Sequence, residues 1–243
     1  MGLYYTFGDL VEQEEMKKLA AEKAVQYIED GMVIGLGTGS TVEFALKKLG
    51  DRIKKEKLKI KAIPTSNKTK KHATEYGIPL IDLDECAEIE ITIDGADEVD
   101  SFFNMIKGGG GALTREKIIA YHTKRLVIIV DETKIVKGLG ADFPIPVEVI
   151  KFAWQVTKKS LEELGCTAEL RKIMDEPYIT DNSNYIIDCD FGRIDDAEAL
   201  EKNINEIPGV VENGLFIGLA DEVIVGSKQG IMTLERQTVS PGS

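Results

Sequence analysis

Residues 32–56 constrain the fold most. MVIGLG at 32–37 is a short apolar run ending in glycine, and from Thr41 onward Val42, Ala45, Leu46, Leu49 and Ile53 form a helical stripe with charges on the opposite face. The first segment reads as a buried strand and the second as an amphipathic helix, because apolar spacing of three and four residues marks one helix face. Strand, glycine turn and helix together open a βαβ unit. The alternation continues with a strand at 60–65, a helix at 67–76, a short strand at 78–83 and the strand EIEITID at 88–94, where Ile89, Ile91 and Ile93 share a face. A helix over 114–124 and the apolar strand RLVIIVD at 125–131 complete the series, and MKKLAAEKAVQYIE at 16–29, stopped by Gly31, reads as a helix preceding it. This rhythm predicts a parallel sheet with helices on both faces.

Beyond Lys134 the pattern changes. A strand at 146–150, a helix at 151–165 ending at Gly165, strands at 168–173 and 184–191, a helix at 195–207 and a strand at 210–216 give the order βαββαβ of the ferredoxin-like split unit. One further strand, 222–227, is free to rejoin the first sheet. The expected architecture is therefore α/β: a Rossmann-like parallel-sheet domain made of residues 1–137 and 217–243, carrying an inserted ferredoxin-like α+β domain at 138–216. The tail QTVSPGS after Arg236 is expected to fray.

Composition narrows the function. The 42 acidic and 30 basic side chains leave a formal net charge of −12, which argues against the broad basic footprint of a nucleic-acid binder. A few lysines in a cleft can still reverse the local field and accept an anionic small molecule. Cys86, Cys166 and Cys189 are odd in number and contain no CxxC pair, and only His72 and His122 are present. A disulfide framework, a thiolate zinc site and a multi-histidine metal site are thereby disfavoured, and a reducing cytoplasm is expected. The N-terminal stretch lacks the basic and apolar regions of a secretory signal, and the apolar run Leu126–Val130 is far too short for a bilayer, so no membrane partner is expected.

Four constellations carry chemistry. Gly35-Leu36-Gly37-Thr38-Gly39-Ser40-Thr41 lies between strand and helix, where inward-turned N–H groups and a helix N-terminus favour an anion; the competing reading is a tight turn whose Ser40 caps the helix. Asp94-Gly95-Ala96-Asp97-Glu98 falls at the carboxyl end of a strand, where open α/β sheets bind ligands; a magnesium site and a solvated acidic loop are the alternatives. Lys107-Gly108-Gly109-Gly110-Gly111 followed by Glu116 supplies a cation, a row of N–H donors and a carboxylate, the parts needed for proton abstraction beside a carbonyl. The plainer reading of Glu116 is a first-turn helix glutamate interacting with Thr114 or the macrodipole. The hydroxyls of Thr65-Ser66-Asn67-Lys68-Thr69 are read as a helix cap.

At these residues the chain resembles the ribose-5-phosphate isomerase A family. GLGTGST, TSNKT, DGADEVD and KGGGGALTREK occur in the family's order and spacing, and PVEVI, ITDNSN and IPGVVENGLF extend the resemblance, which runs from about Met16 to Leu234. It implies interconversion of ribose 5-phosphate and ribulose 5-phosphate, with no metal and no organic cofactor, by a homodimer or homotetramer. Carried over by position, substrate contacts fall on Thr38, Gly39, Ser40 and Thr41, on Asp94, Gly95, Ala96 and Asp97, on Lys107, Gly108, Gly109 and Gly110, and on Lys134 and Lys17. The general base falls on Glu116, with Lys107, Asp94 and Asp97 as the other catalytic groups. Two other classes compete: a sugar-phosphate-sensing module, for which no basic recognition helix is visible, and a magnesium-dependent phosphatase or nucleotide enzyme built on Asp94 and Asp97.

Overall fold

A computed structural model describes residues 7–86 and 88–236. Its first half runs α1 (Phe7–Val25), β1 (Val33–Leu36), α2 (Ser40–Glu56), β2 (Lys61–Pro64), α3 (Asn67–Glu75), β3 (Ile91–Asp94), β4 (Glu98–Val99), β5 (Met105–Ile106), α4 (Leu113–Tyr121) and β6 (Leu126–Asp131). The second runs β7 (Ile145–Val149), α5 (Trp154–Glu163), β8 (Thr167–Leu170), β9 (Lys172–Ile173), β10 (Glu176–Pro177), β11 (Tyr185–Asp190), α6 (Ala197–Asn205), β12 (Val210–Asn213), β13 (Leu215–Phe216), β14 (Glu222–Ser227) and β15 (Gly230–Glu235).

The main sheet has the order β15-β14-β6-β3-β1-β2 and is parallel except for β15, which returns antiparallel beside β14. All six residues of the interior strand β6 are buried, and each apolar one contributes about 1.5–3 kcal/mol relative to exposure. Helices cover both faces. Ala20, Ala24, Val42, Leu46 and Leu49 pack with Ile34, Ile91 and Ile129 on one side, while Leu113 and Ala120 pack with Ile128 and Val130 on the other. Chain order reverses between β1 and β3, so the crevice beyond their carboxyl ends is the topological switch point where such sheets bind ligands.

A second sheet, order β12-β7-β11-β8, is antiparallel throughout, and α5 and α6 pack on it over Val147, Val149, Leu161, Ile187 and Ile204. Gly165, just past α5, adopts φ +103°, the left-handed conformation of a helix-terminating glycine. The third sheet, β13-β5-β4, ties the two halves together.

Several elements differ from expectation. The first helix begins at Phe7 rather than Met16, since no glycine or proline interrupts residues 9–16. IPLIDL forms one bridge, Leu80 to Ala62, and then a 3₁₀ turn, since the preceding short strand offers no longer edge to pair with. The expected strand 168–173 breaks at Arg171, and 210–216 breaks at Gly214 so that Leu215–Phe216 can cross to β5. Strand β15 was not expected: its residues are largely exposed at a sheet edge and show no alternation. The tail after Arg236 lies outside the described residues.

One close approach fixes α1. A Cβ at Gly226 would stand 1.9 Å from the Met16 carbonyl oxygen, so only glycine in β14 lets the helix lie against the sheet. Gly226→Ala should therefore destabilise the protein by about 1–3 kcal/mol, read as a lower thermal midpoint, by about 2–4 °C for each kcal/mol.

Candidate active site

The site is built where β1 and β3 end. The turn after β1 donates from the Gly37 N–H to the Ile93 oxygen at 2.9 Å, and a Cβ at Gly37 would fall 1.9 Å from Asp94 Oδ1. Asp94 occupies that space. Its Oδ1 accepts from the amides of Gly95 at 2.7 Å and Thr38 at 3.1 Å, which welds the two loops. Gly39, with φ +137°, is the N-cap of α2 and no side chain caps that helix. Ser40 is thus the first helical residue rather than its cap, because the glycine needed for the turn takes the cap position. The Thr38 hydroxyl is engaged with Thr65 and Ser66 at 2.8 Å and Thr69 at 3.0 Å, which leaves Ser40 and Thr41 as the hydroxyls of this turn at the pocket. Ser66 caps α3, accepting from the Thr69 N–H at 3.0 Å, as its position in TSNKT suggests.

Lys107 follows β5, its amide held by the Gly214 oxygen at 2.9 Å. The ammonium is 2% exposed and lies 3.0 Å from Asp94 Oδ2 and 3.4 Å from Glu116 Oε1, while also donating to the Gly95 carbonyl. The ammonium is thus hydrogen-bonded to one carbonyl and ion-paired with two carboxylates. Glu116, in the first turn of α4, is 3% exposed, and its second oxygen, Oε2, finds no hydrogen-bond partner among the described residues. Thr114 is not its partner: that hydroxyl donates to Glu148 at 2.5 Å.

Burial, reinforced by the charge of Asp94, pushes the Glu116 carboxyl up to about 8, with Lys107 opposing. Burial also raises Asp94 against the pull of Lys107, and Lys107 itself is raised because its carboxylate neighbours outweigh its own burial. With more carboxylates than ammonium groups in one dry cluster, a proton stays in the site near neutral pH, shared by the Asp94–Glu116 pair.

A pocket of about 160 Å³ opens onto this cluster. Its wall is made by Gln13, Lys17, Thr38, Gly39, Ser40, Thr41, Gly95, Ala96, Asp97, Lys107, Gly108, Gly110, Glu116 and Lys134. Nearly every residue singled out in the sequence meets here. Asp94 and Gly109 stand behind the wall, the latter donating its N–H to Asp97 Oδ2 at 2.8 Å. Lys17 comes from α1 and Lys134 from the 3₁₀ turn after β6, and the two elements are joined by Gln13 Nε2 donating to Asp131 Oδ2 at 3.4 Å. Gln13 was not singled out. With the helix starting at Phe7, Gln13 and Lys17 are four residues apart on one face, and that spacing was its only signal. A larger cleft, about 1160 Å³, lies elsewhere, lined by Asp100, Asp195, Asp196, Glu198 and Glu235 with Arg236, an acidic surround that repels anions.

Residues of the second half hold α4, which carries Glu116. Glu148, fully buried, accepts from Thr114 of α4 and from Thr180 at 2.8 Å, Asn184 at 2.9 Å and Asn182 at 3.1 Å. Lys117 of α4 pairs with Glu212 at 2.7 Å.

A family model described as ribose 5-phosphate isomerase A (phosphoriboisomerase A) matches residues 61–230. The chain belongs to this family. It is 51% identical over 220 residues to ribose-5-phosphate isomerase A 1 of Oceanobacillus iheyensis, covering 90% of this chain and 98% of that one. The Thermococcus kodakarensis ribose-5-phosphate isomerase A is 47% identical over 226 residues, covering 92% and 99%. Among solved structures, the ribose 5-phosphate isomerase A of Methanocaldococcus jannaschii superposes with a TM-score of 0.88 at 50% identity, and a D-ribose-5-phosphate isomerase in complex with phospho-erythronic acid with 0.89 at 48%, each covering 92% of this chain and 99% of its own.

The raised Glu116 carboxyl has two measurable consequences. With Glu116 as the general base, kcat/KM is expected to rise with pH up to about 8, far above an ordinary carboxylate limb; a pH–rate profile checks this. For stability the sign is set by proton binding: between the ordinary carboxylate range and about 8 the folded state holds a proton that the unfolded state has lost, so this group's contribution declines as pH rises. Glu116→Gln should therefore melt above the wild type at pH 9, with the gap closing toward pH 5.

Proposed function

We infer that the protein is an aldose–ketose isomerase that interconverts D-ribose 5-phosphate and D-ribulose 5-phosphate in the pentose phosphate pathway. The observation that carries this reading is a buried glutamate with one unpartnered oxygen at a small pocket, beside a buried lysine and opposite a helix N-terminus flanked by two more lysines. The solved relative's phospho-erythronic acid is a phosphorylated acyclic sugar acid, whose planar carboxylate has the shape of an enediolate end.

In this mechanism Ser40, Thr41, the open amides of α2, Lys17 and Lys134 anchor the phosphate. Glu116, in its ionised form, removes the C2 proton of the open-chain aldose and returns it to C1. The enediolate oxygens are stabilised by the charge of Lys107 and by glycine-loop N–H groups. Asp97, at the pocket wall, moves the hydroxyl proton between the oxygens and assists ring opening, while Asp94, one layer back, keeps Lys107 in place. Remote phosphate binding energy is thereby used at the reacting carbons.

The same proposal treats residues 138–216 as a unit inserted between 1–137 and 217–243. Its support is that the β12-β7-β11-β8 sheet draws all its strands from that span, although β13 pairs outward with β5. A cytoplasmic location accords with three unpaired cysteines, and no helix among the described residues is long and apolar enough to cross a membrane. A homodimer or homotetramer accords with the edge strand β15, which exposes Ile231 and Met232.

The direct test incubates purified protein with ribose 5-phosphate and excess EDTA and measures ketose. No ketose from folded protein would overturn the assignment. Glu116→Gln should lower kcat by about 10²–10⁴-fold and abolish exchange of the C2 hydrogen with deuterated solvent. If it retains near-normal turnover while Asp97→Asn loses it, Asp97 is the base. Ser40→Ala should instead raise KM with little change in kcat, since the phosphate contact is made equally in ground and transition states.

A further inference from the structure

Arg171 sits at the break between β8 and β9, outside the pocket wall. Its Nε and Nη2 grip both carboxylate oxygens of Asp188 on β11, at 2.9 and 2.5 Å, a two-pronged pair that fixes the guanidinium plane. The remaining nitrogen, Nη1, is thereby aimed at the glycine loop, donating to the Gly108 oxygen at 2.7 Å and the Gly109 oxygen at 3.2 Å.

Peptide planarity gives these contacts a consequence. In a trans peptide the carbonyl and the following N–H point in opposite directions. Holding the Gly108 oxygen turns the Gly109 N–H away from Arg171, and that N–H meets Asp97 Oδ2 at 2.8 Å. Arg171 and Asp97 thus hold opposite ends of one peptide. Holding the Gly109 oxygen turns the Gly110 N–H in the same sense, toward the pocket that Gly110 lines. Within the loop the Gly111 N–H also donates to the Gly108 oxygen at 2.9 Å, so Arg171 reinforces a glycine turn whose other carbonyl, that of Gly109, has no side chain of its own to oppose a flip. A charge-assisted bond at the carbonyl also polarises the peptide and strengthens its N–H as a donor.

We propose that Arg171, braced by Asp188, is a positioning residue for the isomerase reaction: it orients the Gly109 and Gly110 peptides so that one N–H sets Asp97 and the next faces the developing enediolate. The proposal rests on the isomerase reading. It separates from the phosphate anchor, because none of Ser40, Thr41, Lys17 and Lys134 is bonded to Arg171.

The experiment compares wild type, Arg171→Ala and Arg171→Lys in ribose 5-phosphate isomerisation, with thermal melts alongside. Arg171→Ala should lose about 10–10²-fold in kcat while KM stays within about threefold, the signature of disturbed donors at the reacting end. Guanidinium chloride at non-denaturing concentration should restore part of that kcat, an effect absent in wild type. Arg171→Lys keeps the charge but not the fork, so it should fall between the two; it carries the same kcat-against-KM test where Arg171→Ala does not fold. An unchanged kcat in a folded variant, or a loss confined to KM, overturns the proposal. Inactive wild type overturns the isomerase reading instead, so the two failures are distinct.

Discussion

The buried ammonium of Lys107 is the interaction on which the rest depends. A lone charge at 2% exposure would be costly. Asp94, Glu116 and the Gly95 carbonyl together satisfy it. Meeting that requirement brings the ends of β3 and β5 and the start of α4 to one point. The same cluster carries more negative than positive groups, so Glu116 holds its proton tightly. A raised carboxyl suited to general-base work and a strained charge in the folded state are two aspects of one arrangement.

The binding and reacting ends of the site have different supports. The proposed phosphate end is formed by α1, the start of α2 and the turn after β6, all packed on the main sheet. The reacting end depends on residues from the second half of the chain: Glu148 fastens Thr114 at the start of α4, Lys117 pairs with Glu212, and Arg171 meets the glycine loop. The antiparallel sheet is thus a scaffold for Glu116 and the neighbouring glycine loop, although it contributes nothing to the pocket wall itself. Such division lets rigid elements far apart in sequence hold a glycine-rich segment whose own backbone is permissive.

Much of this was legible in the amino-acid sequence. Strand–glycine–helix periodicity around residues 32–56 determined a parallel α/β sheet, because apolar spacing encodes which face is buried. Gly37 beside Asp94, Lys107 with its glycines, and Glu116 were recognisable as chemistry because such residue types rarely serve packing alone. What the sequence left open is what depends on distance in space. Gln13 joins the pocket only because α1 extends to Phe7 and Gly226 lets it lie close. Thr38, one of three neighbouring hydroxyls, is drawn into a side-chain cluster with Thr65, Ser66 and Thr69. Burial of Glu116 beside Asp94, and the aim of Arg171 at carbonyls more than sixty residues away, arise only when the two halves pack. Local pattern fixes which elements form; only their packing sets the dielectric, the charge neighbours and the peptide orientations that make the cluster reactive.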